Sequence, residues 1–370
     1  MVKENGLRSY PPLLFCLMLL FLFCGWASPA WACRLVEPPA DSVDTLWVHL
    51  EGFCFTSDQQ KWAIKGKDVL DALKTGKNID IQGALVVGDV MLDQLPLQPI
   101  AEIHNIPDHI QADLKQRGLE KARVIPGSIT IRDSQFEKVL ATNLVNDVLV
   151  ILGEVHISGT TFLQSMDFSK IIFTQPLGFS NVNVMHEGFF IGAQFEDAVD
   201  FSSTQFGTHA RFHKAVFRAP ALFTKVEFNG VAEFLEVEFQ QAADFSQSNF
   251  LSGTGFSGSV FHGPVDFSGV TTQREIYFRF SEFNQRVSFR QGKFQSVVDF
   301  SNSRFDGEHD FSEAEFALQP EFTASNISVV VPISGQKFNQ QSQWMVFGGL
   351  VLLVGIYLWI TKRDAGGLSA

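Results

Sequence analysis

Tyrosine is nearly missing from this chain, with three residues against 38 phenylalanines in a length of 370. Ordinary globular cores mix their aromatic rings, so the imbalance asks for a geometric reason behind the phenylalanines. Cysteine is scarce too, at four. Cys16 and Cys24 lie in an N-terminal apolar run, which leaves Cys33 and Cys54. No histidine accompanies that pair at metal-ligating spacing, so no zinc site is expected. A phosphate-cradling glycine loop, a His-x-x-Glu-His signature and a nucleophile elbow are also lacking. Positive charge is short: 28 Lys and Arg against 40 Asp and Glu leave a net charge of −12. That balance argues against nucleic acid or an anionic lipid surface as partner.

The two ends carry membrane-traffic signals. Lys3 and Arg8 form a basic start, an apolar run follows from Pro12 to Ala27, and Ala30-Trp31-Ala32 is a small-x-small cleavage pattern. Residues 1–32 are therefore expected to be a secretory signal peptide. An uncleaved anchor, or a lipoprotein acylated on Cys33, are the alternatives; Ala30 stands where a lipoprotein signal carries leucine. Near the other end, Trp344 to Ile360 holds no charge and would reach about 25 Å as a helix, the short edge of what spans a bilayer. Trp344, Tyr357 and Trp359 sit where an interfacial belt would, and Lys362 and Arg363 follow. A transmembrane helix over 344–361 with a cytoplasmic tail over 362–370 is expected. An exported chain with one cysteine pair suggests a Cys33–Cys54 disulfide.

Between the ends lies a repeat. Phe recurs every eleven residues at Phe168, Phe179, Phe190, Phe201, Phe212, Phe223, Phe234, Phe245, Phe256, Phe267, Phe278, Phe289, Phe300, Phe311 and Phe322. A second series from Phe162 to Phe316 has Phe at thirteen of fifteen positions, with Val184 and Thr272 as exceptions. The steps alternate between five and six residues. On a helix such steps throw successive rings to opposite sides, and Pro220, Pro264 and Pro320 lie inside the run. Short strands fit instead. Two residues before the rings stand small or β-branched side chains such as Val199, Ala210, Ala221 and Val226, on the same face of an extended segment. Equivalent rings of stacked coils would form ladders, each buried Phe giving about 1.5–3 kcal/mol of gross stabilisation.

Units such as Val199-Asp200-Phe201-Ser202-Ser203, Ala243-Asp244-Phe245-Ser246-Gln247 and Val298-Asp299-Phe300-Ser301-Asn302 resemble the pentapeptide-repeat family. The resemblance covers 157–324 and implies an all-β fold, a right-handed quadrilateral β-helix. Every second unit departs from the family pattern by having six residues. Four sides would make a coil 22 residues long; an eleven-residue, two-sided coil is the alternative.

The other segments follow from their patterns. Residues 33–78 read as an N-terminal α/β cap, with a strand over Trp47–Phe55, and a helix over Lys67–Leu73 that Asp68 caps and Gly76 ends. Residues 79–156 read as degenerate first coils, with a helical excursion over Pro107–Arg117 whose Ile110 and Leu114 share a face. Residues 325–343 read as a polar stalk.

No catalytic set, cofactor or metal site is expected, and the chain is read as no enzyme. His156, His186, His209, His213, His262 and His309 are scattered singly. Just before the first Phe series runs a column that includes Asp200, Asp244, Asp266, Asp299, Asp310 and Glu321. On 22-residue coils Asp244 would stack on Asp266 and Asp299 on Glu321. Stacked carboxylates could hold calcium, whereas a solvated consensus face needs no ligand. Gly348 and Gly355 could seat a neighbouring helix. The expected role is an exported, membrane-anchored interaction scaffold with an unidentified protein partner. The alternatives are a polysaccharide-acting or glycan-binding β-helix and, by family resemblance, an acidic DNA mimic.

Overall fold

The computed structural model of the chain describes residues 32–331 and Ile333. The expected transmembrane helix, the tail, Gly348 and Gly355, and all of the signal segment except Ala32, lie outside the described residues. Among the described residues no helix is long and apolar enough to cross a membrane.

One coil shows the construction of the tube. The chain runs through Val199–Asp200, Gln205–Phe206, His209–Arg211 and Val216–Phe217, turning a corner after each strand. It then returns at Ala221–Leu222, where Val199 pairs in parallel with Ala221. Pairing at this interval excludes the two-sided, eleven-residue coil. Among the described residues repetition builds four sheets of 12, 11, 9 and 10 strands. Apart from two terminal antiparallel pairs, the strand pairing is parallel throughout.

The two corner types explain the alternating step. After a first-series ring the carbonyl of Phe201 accepts the Thr204 amide at 3.2 Å, and Ser203 between them has φ 59°. Lys214 and Gln247 repeat this, and Lys225 and Glu236 share the positive φ, at 55–60° for the four, with the following amide bonded to a serine of the next coil. A four-residue turn with φ > 0 at its third position is the tight corner of the five-residue step. In the Phe-bearing coils the six-residue step turns without a positive φ. There the coils approach closely, and a Cβ on Gly263 would lie 2.4 Å from the Gln241 carbonyl carbon.

The phenylalanines fill the tube. The first series separates into two ladders on opposite walls, one from Phe179 to Phe311 and one from Phe168 to Phe322. Within a ladder rings stack, as Phe212 on Phe234 at 4.7 Å and 2°. Between the ladders they meet edge to face, as Phe223 against Phe234 at 5.5 Å and 85°. Phe168 through Phe300 of the first series are buried, and Phe311 and Phe322 near the C-terminal end are partly so. Small partners two residues upstream, including Val199, Ala210, Ala221 and Val226, are buried beside them.

Several polar interior positions are satisfied between coils. Thr204 donates its hydroxyl to the Phe179 carbonyl at 2.7 Å and Ser281 donates to the Phe256 carbonyl at 2.8 Å. Ser248 and Ser259 likewise bond Phe223 and Phe234, and accept the amides of Val226 and Val237 at 3.0 Å. These buried hydroxyls belong to the small-residue positions and act as rungs between turns.

The first coils extend the same ladders with aliphatics. Ile81, Ile131 and Ile157 stand in register with Phe179, and Ile125 and Ile151 with Phe173. A small apolar cavity of about 40 Å³ remains where aliphatics give way to rings. The helix Gly66–Lys74 sends Val69 and Leu73 into the lining of that cavity at the N-terminal end.

Several boundaries differ from the sequence reading. The expected strand over Trp47–Phe55 is Thr45–Glu51; Gly52, at φ 93°, turns the chain out before Cys54. This strand already pairs in parallel with Asn78–Gln82, so coil stacking begins inside the segment read as a cap. Asp68 lies in the first turn of its helix, whereas Lys65 holds the capping position. The excursion helix spans Asp108–Gln116, with Ile110 and Leu114 buried. Residues 325–331, read as the start of a stalk, instead close the tube: Val331 is buried, and Ile327 and Val329 pack against the core.

Candidate functional site

With the rings turned inward, recognition falls to the outer walls and to whatever projects from them. The carboxylate column stacks as its spacing implied, with Asp244 paired to Asp266 and Asp299 to Glu321. Its local chemistry is structural. Asp200, Asp244, Asp266, Asp299 and Asp310 each accept the amide of the residue two positions on, at 2.7–2.9 Å. Such side-chain turns tie each carboxylate to its own corner. Among the described residues no group of three or more His, Cys, Asp or Glu is placed to hold a metal ion.

Asp299 is the exception in depth, at 1% exposure. The Arg279 guanidinium bonds it from the neighbouring coil and lies over the Tyr277 ring at 4.7 Å. Burial pushes the Asp299 carboxyl up, but the hydrogen bonds from Ser301 and Arg279 outweigh it and hold it below the usual carboxylate range. Asp310 is held low by its hydrogen bonds from Ser312. Nothing in the column pattern signalled the Arg279 contact, because it occurs once and joins residues 20 apart.

The histidines do not converge on one centre. His213 lies 3.2 Å from Glu233, which also meets Arg211 at 2.8 Å. His262 lies 3.3 Å from Glu238, and His309 stands beside the rings of Phe305 and Phe311. His156 packs over Gly178, where a Cβ would come within 2.6 Å of its Nδ1. Cys33 and Cys54 are joined as a disulfide.

The Phe-bearing coils follow one another without insertion, and the chain departs from the wall earlier. The pairing of Met91 with Ala141 and of Ala141 with Asp167 locates two insertions, within 92–120 and 142–148, at one corner of successive coils. Ile100, Ile103, Ile110 and Leu114 pack on the outer wall against Val124, Val148, Val150 and Ile172. His109 reaches Glu196 at 2.7 Å and Arg218 meets the same carboxylate at 2.9 Å, pinning the excursion to the wall. Beneath it runs a groove of about 370 Å³ with Gln98, Glu102, His104, Asn105 and Gln175 in its lining. A shallower depression of about 440 Å³, lined partly by Asp244, Asp266, Arg286 and Arg290, lies on a flat wall.

These features define a four-sided β-solenoid with stacked phenylalanine ladders. Residues 223–271 match the family model described as pentapeptide repeats (9 copies), so this stretch of the tube carries pentapeptide repeats. No curated protein and no solved structure matches the chain.

Proposed function

We propose that the chain is a non-catalytic scaffold, exported and held to a membrane by one C-terminal span, that presents the walls of its solenoid to a protein partner. In this reading the tube winds right-handed, as the family resemblance implies, with its body outside the membrane and a cytoplasmic tail. The observation that carries the reading is the uninterrupted four-sheet stack. It fixes outward side chains at about 4.8 Å intervals along rigid walls, the kind of extended surface through which solenoids work. The signal-like N-terminus, the uncharged stretch at Trp344–Ile360 and the basic residues after it support the topology. The net charge of −12 weighs against nucleic acid as partner.

The test is cross-linking of tagged protein in intact native cells, followed by membrane solubilisation and identification of what co-purifies. A reproducible stoichiometric partner supports the scaffold; recovery of the protein alone removes the partner. Protease access to the body in intact cells tests the topology, and full protection of the body would overturn it.

One observation favours a second reading. The corner groove has an amide-rich lining in Gln98, Asn105 and Gln175, beside Glu102 and His104, which suits a polyhydroxylated ligand. Glycan binding by the purified body, lost when Gln98 and Asn105 are changed to alanine, would support it. No retention on any glycan would discard it.

A further inference from the structure

The N-terminal edge of the 12-stranded sheet is covered by very little secondary structure. The strand β2, Thr45–Glu51, is the outermost parallel strand of the 12-stranded sheet, and the C-terminal end of its free edge is covered by β1, Arg34–Leu35. β1 runs antiparallel, Arg34 opposite Glu51 and Leu35 opposite Leu50, and the Val36 amide donates to the His49 carbonyl at 2.9 Å. Both side chains of β1 are exposed. Its ion pair, Arg34 with Glu51 at 2.9 Å, lies in solvent, where such pairs contribute little. A two-residue strand without a buried side chain does not hold itself on an edge against the entropy of its release. What remains is a bridge between Ala32 and Phe53, the packing of Cys33 and Cys54 against the core, and the covalent tie that keeps both in place. Cys33 immediately precedes β1, and its partner Cys54 follows the end of β2.

We propose that the Cys33–Cys54 disulfide is a redox latch: oxidised, it keeps β1 strapped over the edge of β2; reduced, it releases β1 and uncovers that edge. The reductant is a dithiol. One of its thiolates attacks a sulfur of the pair, the Cys33–Cys54 bond breaks, and a mixed disulfide forms. The second thiol then displaces the protein sulfur. Two electrons and two protons pass to the protein, leaving two thiols, and the reductant ends as its own disulfide. The Phe ladders lie away from this bond and keep the tube wound in either state. Release of β1 uncovers the end of that edge around His49–Glu51 and leaves its backbone donors and acceptors unpaired. The inference is independent of the membrane topology and of the partner.

Backbone hydrogen exchange on the full chain, oxidised and then reduced with dithiothreitol, reads the latch directly. A Cys33→Ser, Cys54→Ser double variant provides the same state without reductant. Exchange of residues 33–36 and of the Leu50–Glu51 end of β2 should quicken by on the order of a hundredfold, as loss of a loop closure of this size implies. Amides over 199–316 should keep their protection. Unchanged protection at 33–36 on reduction would overturn the latch. So would loosening of 199–316 along with the strap, because the bond would then be a staple of the whole tube.

Discussion

The side chain of Asn326 stands in for a strand. Its carboxamide oxygen accepts the Phe305 amide at 2.8 Å, and its nitrogen donates to the Phe305 carbonyl at 2.8 Å. Phe305 belongs to the last strand of its sheet, Arg304–Phe305, where the next coil would otherwise provide both bonds. One amide therefore closes a sheet edge that would lie open to pairing with another chain. Asn326→Ala is expected to destabilise the tube by about 1–3 kcal/mol, the cost of leaving such groups without a partner. Urea denaturation would give the loss, and exchange of the Phe305 amide should rise with it. An unchanged midpoint would show that other groups satisfy this edge.

The ladder should be weakest at its ends and costly in its middle. Phe234 is fully buried, stacked on Phe212 and Phe256 at 4.7 Å, and met edge-on by Phe223 and Phe245. Phe234→Ala should cost about 3–5 kcal/mol, the range for emptying an aromatic core position. Phe322, which is only partly buried near the tube end, should cost clearly less on the same change. Equal losses in denaturation would mean that the coils do not unfold with the end effects a solenoid implies.

Much of this was legible in the sequence because the repeated elements are large and periodic. Phe at eleven-residue spacing announces the ladders, and small residues two positions upstream announce the inward faces. The 22-residue coil, the Asp stacking and the early aliphatic coils follow from the same lattice. What the lattice could not show are contacts made once. Arg279 on Asp299, Asn326 on Phe305 and His109 on Glu196 have no period. The positive φ at Ser203 or Gln247 was also hidden, because serine, lysine, glutamate and glutamine fill those corners instead of glycine alone. Residues 325–331 were misread because Ile327, Val329 and Val331 are spaced too sparsely among polar residues to signal a closing turn.

Thr272 interrupts a ladder between Phe250 and Phe294, and its hydroxyl is buried without a hydrogen-bond partner among the described residues. Four residues on, Ile276 occupies an inward position that Ala210 and Ala232 hold in earlier coils of the same sheet. Removing the unpaired oxygen while keeping the shape should therefore help, and Thr272→Val is expected to stabilise by about 1–2 kcal/mol. A higher urea midpoint with an unchanged slope would support this. A lower one would mean that the hydroxyl has a partner.

Acid should act on the C-terminal coils through Asp299. Its folded value is lowered from the ordinary 3.8. The unfolded chain therefore takes up the proton first as the pH falls. The stability contributed by the Arg279 contact is present above the ordinary value and is lost as pH drops through the folded one. Above pH 5 the contribution should be flat, and below about pH 4 it should fall away. Asp299→Asn removes the charge at every pH and leaves Arg279 without its buried partner. The variant should be less stable than the parent at pH 7, with the two curves converging in acid. Denaturation from pH 2 to 8 checks this, and parallel curves throughout would show that the Asp299 carboxylate contributes nothing specific to the fold.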